Sequence, residues 1–122
     1  MNIHDQYIDL APTIIRKRLV IEGISNDKFT KENMKKYMIE LSILMNMTIV
    51  SEPSFNFDIK YGLSSYMCWK ESGMHIYTWE KKNNNILNFF SIDIYTCKNF
   101  NINDVIEFTS NSFLIKELTW KE

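Results

Sequence analysis

The chain has 122 residues, enough for one compact domain with a core and too few for two. Hydrophobic residues make up 45% and charged residues 24%, and 14 basic against 15 acidic side chains leave a net charge of −1. That balance suits a globular domain and supplies no field to draw the chain to nucleic acid or a membrane surface. No apolar run approaches the ~20 residues of a membrane span, and the opening MNIHDQYIDL lacks the apolar stretch of a secretory signal. Cys68 and Cys97 form neither a metal-ligand spacing nor a disulfide framework. A single domain over residues 1–122, reduced, cytoplasmic and without metal, is expected.

Residues 1–12 mix polar and apolar side chains without a period and read as a loose leader. Ile14–Ile24 reads as a first strand, with Arg16, Lys17 and Arg18 at its solvated entry. Thr30 is a suitable N-cap. Met34, Tyr37, Met38, Leu41, Leu44 and Met45 recur at helical spacing and predict an amphipathic helix ending near Asn46. Its methionines read as gap-filling core. A short strand, Thr48–Val50, is broken by Pro53, and Phe55 and Phe57 then share one face of an extended piece.

Two extended segments follow, Leu63–Lys70 and Met74–Glu80, hinged at Ser72 and Gly73. Lys81–Asn85 reads as a polar hairpin loop. Phe89–Cys97 is a further strand, residues 101–112 carry Ile102, Val105, Ile106 and Thr109 at helical spacing, and Phe113–Trp120 closes the chain as a strand. Met74, Ile76 and Thr78 alternate with His75, Tyr77 and Trp79. Likewise Phe90, Ile92, Ile94 and Thr96 alternate with Ser91, Asp93, Tyr95 and Cys97. The pattern predicts an α+β two-layer sandwich, an antiparallel sheet with both helices on its apolar face. The opposite face is too aromatic to stand in water, so a second copy of the chain is expected to cover it.

Four short motifs stand in order on this sheet: Gly62-Leu63-Ser64, Glu71-Ser72, Thr78-Trp79 with Glu80, and Asp93-Ile94-Tyr95-Thr96-Cys97. They resemble the signature of the prokaryotic S-adenosylmethionine decarboxylases. In that family Gly-x-Ser precedes a Glu-Ser-His corner, then a His-Thr-Trp-Pro-Glu segment and an Asp-x-Phe-Thr-Cys-Gly segment. The likeness keeps its order from about Arg18 to Phe113. It implies a pyruvoyl-dependent enzyme without metal or pyridoxal phosphate, making decarboxylated S-adenosylmethionine for spermidine synthesis. It also implies a homodimer with its sites at the interface.

Decarboxylation of an α-amino acid leaves a carbanion that needs an electron sink. The resemblance implies that this chain makes its own. Ser72 would attack the carbonyl of Glu71, the peptide would become an ester, and elimination would leave fragments 1–71 and 72–122, the latter beginning with a pyruvoyl group. The same resemblance implies that Cys97 returns a proton to the product carbon and that Ser64 assists self-cleavage. Trp79 and Glu80 would belong to the substrate site, Glu80 accepting from the ribose hydroxyls. Phe57 or Phe55 would stack on adenine and face the sulfonium. Gly73 would ease a strained backbone at the corner. Cys68 has no counterpart and reads as core. Ser64 and Ser72 would lie roughly 26 Å apart on a straight strand, so two protomers are expected to contribute to one site.

The chain also departs from that pattern. The family histidine two residues before tryptophan is Tyr77, and a phenol is a poor base at neutral pH. His75, roughly 7 Å away on the same strand face, is a candidate substitute for the elimination step. Gly73 replaces the histidine after the cleaved serine, the proline between Trp79 and Glu80 is missing, and Cys97 precedes Lys98 rather than glycine. Three functions fit: the S-adenosylmethionine decarboxylase, a pyruvoyl-dependent ornithine or arginine decarboxylase on the same scaffold, and an unprocessed, non-catalytic nucleoside-binding homologue. Trp79, Glu80 and the two phenylalanines favour the nucleoside substrate over ornithine or arginine.

Overall fold

Thr30 begins the first helix through a reciprocal cap. Its hydroxyl accepts from the Asn33 N–H at 3.1 Å, while the Asn33 side chain accepts from the Thr30 N–H at 2.9 Å. The computed structural model describes residues 1–80 and 88–122. Along the chain these form β1 (Lys17–Ser25), α1 (Lys31–Leu44), β2 (Ser54–Asp58), β3 (Gly62–Trp69) and β4 (Ser72–Trp79). β5 (Phe89–Thr96), α2 (Ile102–Ser112) and β6 (Ile115–Lys121) complete it. The predicted polar loop Lys81–Asn85 lies outside the described residues.

The strands make one sheet in the order β2-β3-β4-β5-β1-β6, every neighbouring pair antiparallel. One face is buried: Leu19 and Ile21, Met67 and Trp69, Met74 and Ile76, and Ile92 and Ile94 come from four adjacent strands. They share a core with Met34, Met38 and Leu41 of α1 and Val105 of α2. This is the expected two-layer α+β sandwich. The few polar groups inside are satisfied, as burial requires. The Trp69 indole N–H donates to Ser42 Oγ at 2.8 Å, and Ser42 Oγ donates to the Met38 carbonyl at 2.6 Å. Tyr37 and Thr109 share a 2.6 Å hydrogen bond, and burial pushes the Tyr37 phenol far above its usual range.

Three element boundaries differ from expectation. β1 begins at Lys17 rather than Ile14, because Lys17 pairs with Thr96 and β5 offers no residue beyond it. Ile14 and Ile15 stay exposed in a turn, with the Arg16 guanidinium paired to Asp9. Thr48–Val50 is not a strand; only Ile49 bridges to Trp69, the last residue of β3. Phe113 ends α2 instead of starting the last strand. Its ring turns inward against Phe29 and Tyr37, both 5.0 Å away, since burial outweighs continuation of the sheet.

Gly62 owes its identity to two constraints. Its φ is +94°, and a Cβ there would lie 2.2 Å from the Thr78 carbonyl oxygen. Thr78 in turn donates its hydroxyl to the Leu63 carbonyl at 2.6 Å. Glycine here therefore lets β3 close on β4. Gly62→Ala is expected to cost at least ~1 kcal/mol of stability in urea unfolding. Ser42→Ala, which leaves the buried Trp69 N–H without its acceptor, is expected to cost ~1–3 kcal/mol at unchanged slope.

Candidate functional site

The hairpin between β3 and β4 turns through Lys70 and Glu71, with Trp69 and Ser72 as the last pair. Neither turn residue has a positive φ, yet a tight hairpin needs that twist somewhere. It falls on Ser72, whose φ is +133°. This corrects the expected hinge: the turn is Lys70 and Glu71, Ser72 and Gly73 already belong to β4, and the positive φ falls on the serine and not on Gly73. Gly73 is needed for space, because a Cβ there would lie 2.6 Å from the Met67 carbonyl oxygen and 2.9 Å from the Tyr66 hydroxyl.

Two contacts hold the peptide that precedes Ser72. The Cys97 N–H donates to the Glu71 carbonyl oxygen at 2.9 Å. Cys97 reaches this position because Thr96 pairs with Ser72, and the Thr96 hydroxyl then accepts from the Lys98 N–H at 2.9 Å to turn the chain. The Glu71 carboxylate accepts from the Thr48 N–H at 2.8 Å and the Thr48 hydroxyl at 3.0 Å. That backbone donor, then the hydroxyl and the nearby Lys98 ammonium, hold the Glu71 carboxyl below its usual range.

Behind the corner lies a cleft of about 190 Å³ lined by Tyr66, Ser72, Gly73, Met74, His75, Asp93 and Tyr95. It opens on the sheet face away from the helices. His75 sits between Tyr66, at 4.7 Å, and Tyr77, at 4.9 Å, ring centre to ring centre. Burial lowers its pKa, opposed by the Asp93 carboxylate across the ladder, which favours the neutral imidazole. Arg18 approaches Asp93 at 3.9 Å and covers the Tyr95 ring at 4.7 Å.

The remaining predicted residues divide into two groups. Ser64 lies directly opposite Tyr77 in the ladder, five rungs from the Trp69–Ser72 pair, or ~17 Å by strand rise. The hairpin therefore shortens the straight-strand separation without closing it. Trp79 and Phe89 pack at 5.2 Å at that far end, with half-buried Glu80 next in the chain. Phe55 and Phe57 pair with Ser65 and Leu63, so the register puts them on the helix side of edge strand β2. Phe55 packs on the core and Phe57 is 58% exposed. Glu71, Ser72 and Cys97 are thus brought together; Ser64, Tyr77 and Trp79 form a second group, and the phenylalanines join neither.

Cys68 is not core, as its sequence suggested. It shares the parity of Ser64 and Tyr66, pairs with Gly73 and is half-buried on the open face. The alternation Ser64, Tyr66, Cys68 held the signal that Tyr66 and Cys68 border the site. Nothing local marked Thr48, which reaches Glu71 only through the fold. Among the described residues no group of three His, Cys, Asp or Glu side chains could hold a metal, and no helix is long and apolar enough to cross a membrane.

A serine at positive φ, an amide donor on the preceding carbonyl and an imidazole in the adjoining cleft meet at this corner. A family model described as S-adenosylmethionine decarboxylase matches residues 20–122, from within β1 to the end of the chain. No curated protein sequence matches significantly. The match spans well over half of the 122 residues, and the chain belongs to the S-adenosylmethionine decarboxylase family.

Proposed function

We propose that this chain is a self-processing, pyruvoyl-dependent decarboxylase of S-adenosylmethionine, cut between Glu71 and Ser72 and acting in the cytoplasm in the supply of decarboxylated substrate for spermidine synthesis. The observation that carries this reading is the φ of +133° at Ser72 beside the 2.9 Å hydrogen bond from Cys97 N–H to the Glu71 carbonyl. Backbone strain of this kind stores ~1–3 kcal/mol, which scission releases. The amide donor lies on the oxygen that becomes negative when Ser72 Oγ adds to the carbonyl carbon.

In that processing the Oγ–C bond forms and the C–N bond breaks, with the serine proton passing to the freed nitrogen. A base then takes the Cα proton of residue 72, the Cβ–Oγ bond breaks to release Glu71 as a carboxylate that keeps Oγ, and the enamine left behind takes a proton at Cβ to become an imine. Water replaces nitrogen on the resulting imine, and ammonia leaves. His75, neutral and lining the cleft, is the base we assign, because Tyr77 stands where the family carries histidine. Ser64 would assist self-cleavage.

The residues present fit the pyruvoyl group: Ser72 is its source, and the cleft it lines has room for a small ketone. Once formed, that group supplies the electron sink for loss of CO2. Cys97, exposed beside the corner, would return the proton. Trp79 and Glu80 would bind the nucleoside, whereas Phe55 and Phe57, on the helix side of β2, face away from this cleft. A cleft of about 190 Å³ is smaller than the ~300–1,000 Å³ of sites that enclose such ligands. A symmetric homodimer, open face to open face, would supply the missing wall and bring the Ser64 group of one copy to the Ser72 corner of the other. Tyr77 favours a second reading, an unprocessed nucleoside-binding homologue.

Intact mass distinguishes these readings. The wild-type chain should yield fragments 1–71 and 72–122, the second blocked by a carbonyl that borohydride traps, whereas Ser72→Ala should stay whole. A wild-type chain that remains uncut and untrapped after long incubation removes the enzyme reading. Release of CO2 from S-adenosylmethionine, but not from ornithine or arginine, is expected of the processed form. The neutral form of His75 is the base, so processing should be fast above about pH 6.5 and decline as pH falls through the lowered pKa. His75→Ala should slow it ~100-fold or more and abolish that acid limb.

A further inference from the structure

Tyr66 faces the open side of β3, directly opposite His75 in the ladder. Its ring centre lies 4.7 Å from that of the imidazole, tilted by 49°, and Tyr77 stacks on the same imidazole at 4.9 Å and an interplanar angle of 26°. Its hydroxyl and Cε2 lie 2.9 and 3.3 Å from where a Cβ of Gly73 would be, so the phenol fills the space beside the residue that follows Ser72. Tyr66, His75 and Ser72 line one cleft.

We propose that Tyr66 is a positioning residue, whose ring, together with that of Tyr77, clamps the half-buried imidazole of His75 in place in the cleft beside Ser72. The functional consequence rests on the processing reading above; the clamp itself does not. The groups facing His75 are Tyr66 and Cys68 from β3, Tyr77 on its own strand, and Asp93 and Tyr95 from β5, with Arg18 of β1 beside Asp93. Asp93 favours a charged imidazole and burial opposes it, with burial the larger effect. The Tyr66 ring accounts for one side of that burial. Without it water enters, and the carboxylate dominates. Gly73 is the complement of the same device, since a side chain there would displace the phenol.

The chain has two histidines, His4 and His75, so the His75 ring signals can be followed by NMR titration. In the full-length Ser72→Ala background, Tyr66→Phe should leave the His75 midpoint in place. Tyr66→Ala should raise it by about half a unit or more. Tyr66→Leu keeps apolar volume without an aromatic face; it should fall between them and serves if the alanine chain does not fold. In the chain with Ser72 intact, Tyr66→Phe should process within about twofold of wild type and Tyr66→Ala at least ~10-fold more slowly. An unmoved His75 midpoint in folded Tyr66→Ala or Tyr66→Leu overturns the proposal, whatever the wild type does. A moved midpoint in a family of chains none of which processes, wild type included, supports the clamp and removes the function proposed for the protein.

Discussion

A hairpin turn made from two residues of ordinary φ must place its twist on a neighbour, and here Lys70 and Glu71 pass it to Ser72. A serine at φ +133° persists only where its surroundings over-determine it. They do so from three directions. Trp69 is anchored in the core by Ser42, the Glu71 carbonyl accepts from Cys97, and the Glu71 carboxylate is held by Thr48. Each tether comes from a different part of the chain, so the corner is strained because the whole domain is folded around it. The backbone geometry at Ser72 and the stability of the fold are linked at this point.

The same strand alternation serves both halves of the molecule. Residues of one parity in β3, β4 and β5 make the core with α1 and α2; those of the other parity make the open face. A one-residue slip would exchange the two sets. Gly62, closing on the Thr78 carbonyl, allows β3 and β4 to meet in register, and Thr96 opposite Ser72 carries that register into β5. Cys97 arrives beside the Glu71 carbonyl as a consequence of pairing rather than of any local preference.

Two of the departures from the family pattern, Gly73 and Tyr77, flank His75 on β4. Tyr77 takes the place of a histidine, His75 supplies an imidazole two residues earlier, and Gly73 leaves room that the Tyr66 ring enters. Read singly, each looks like a loss. In the folded chain Tyr66, His75 and Tyr77 form one aromatic cluster next to the cleft. A lone imidazole on an open sheet face would be hydrated; here the centres of two phenol rings lie 4.7 and 4.9 Å from its own, and burial favours its neutral form.

Periodicity alone determined the two-layer architecture, both helices, the Thr30 cap and which strand face would be buried, because apolar spacing and capping chemistry are local. Motif order singled out the Glu71–Ser72 peptide. Only the tertiary structure decided that strain belongs to Ser72 and not Gly73, that Cys68 lies on the open face, that Phe113 turns inward, and that Phe55 and Phe57 flank the helix side of β2. It alone joined Thr48 to Glu71 and Tyr66 to Gly73. These depend on which strand lies beside which and in what register, and the free energy that fixes register comes from burying the whole face at once, which no single stretch of sequence contains.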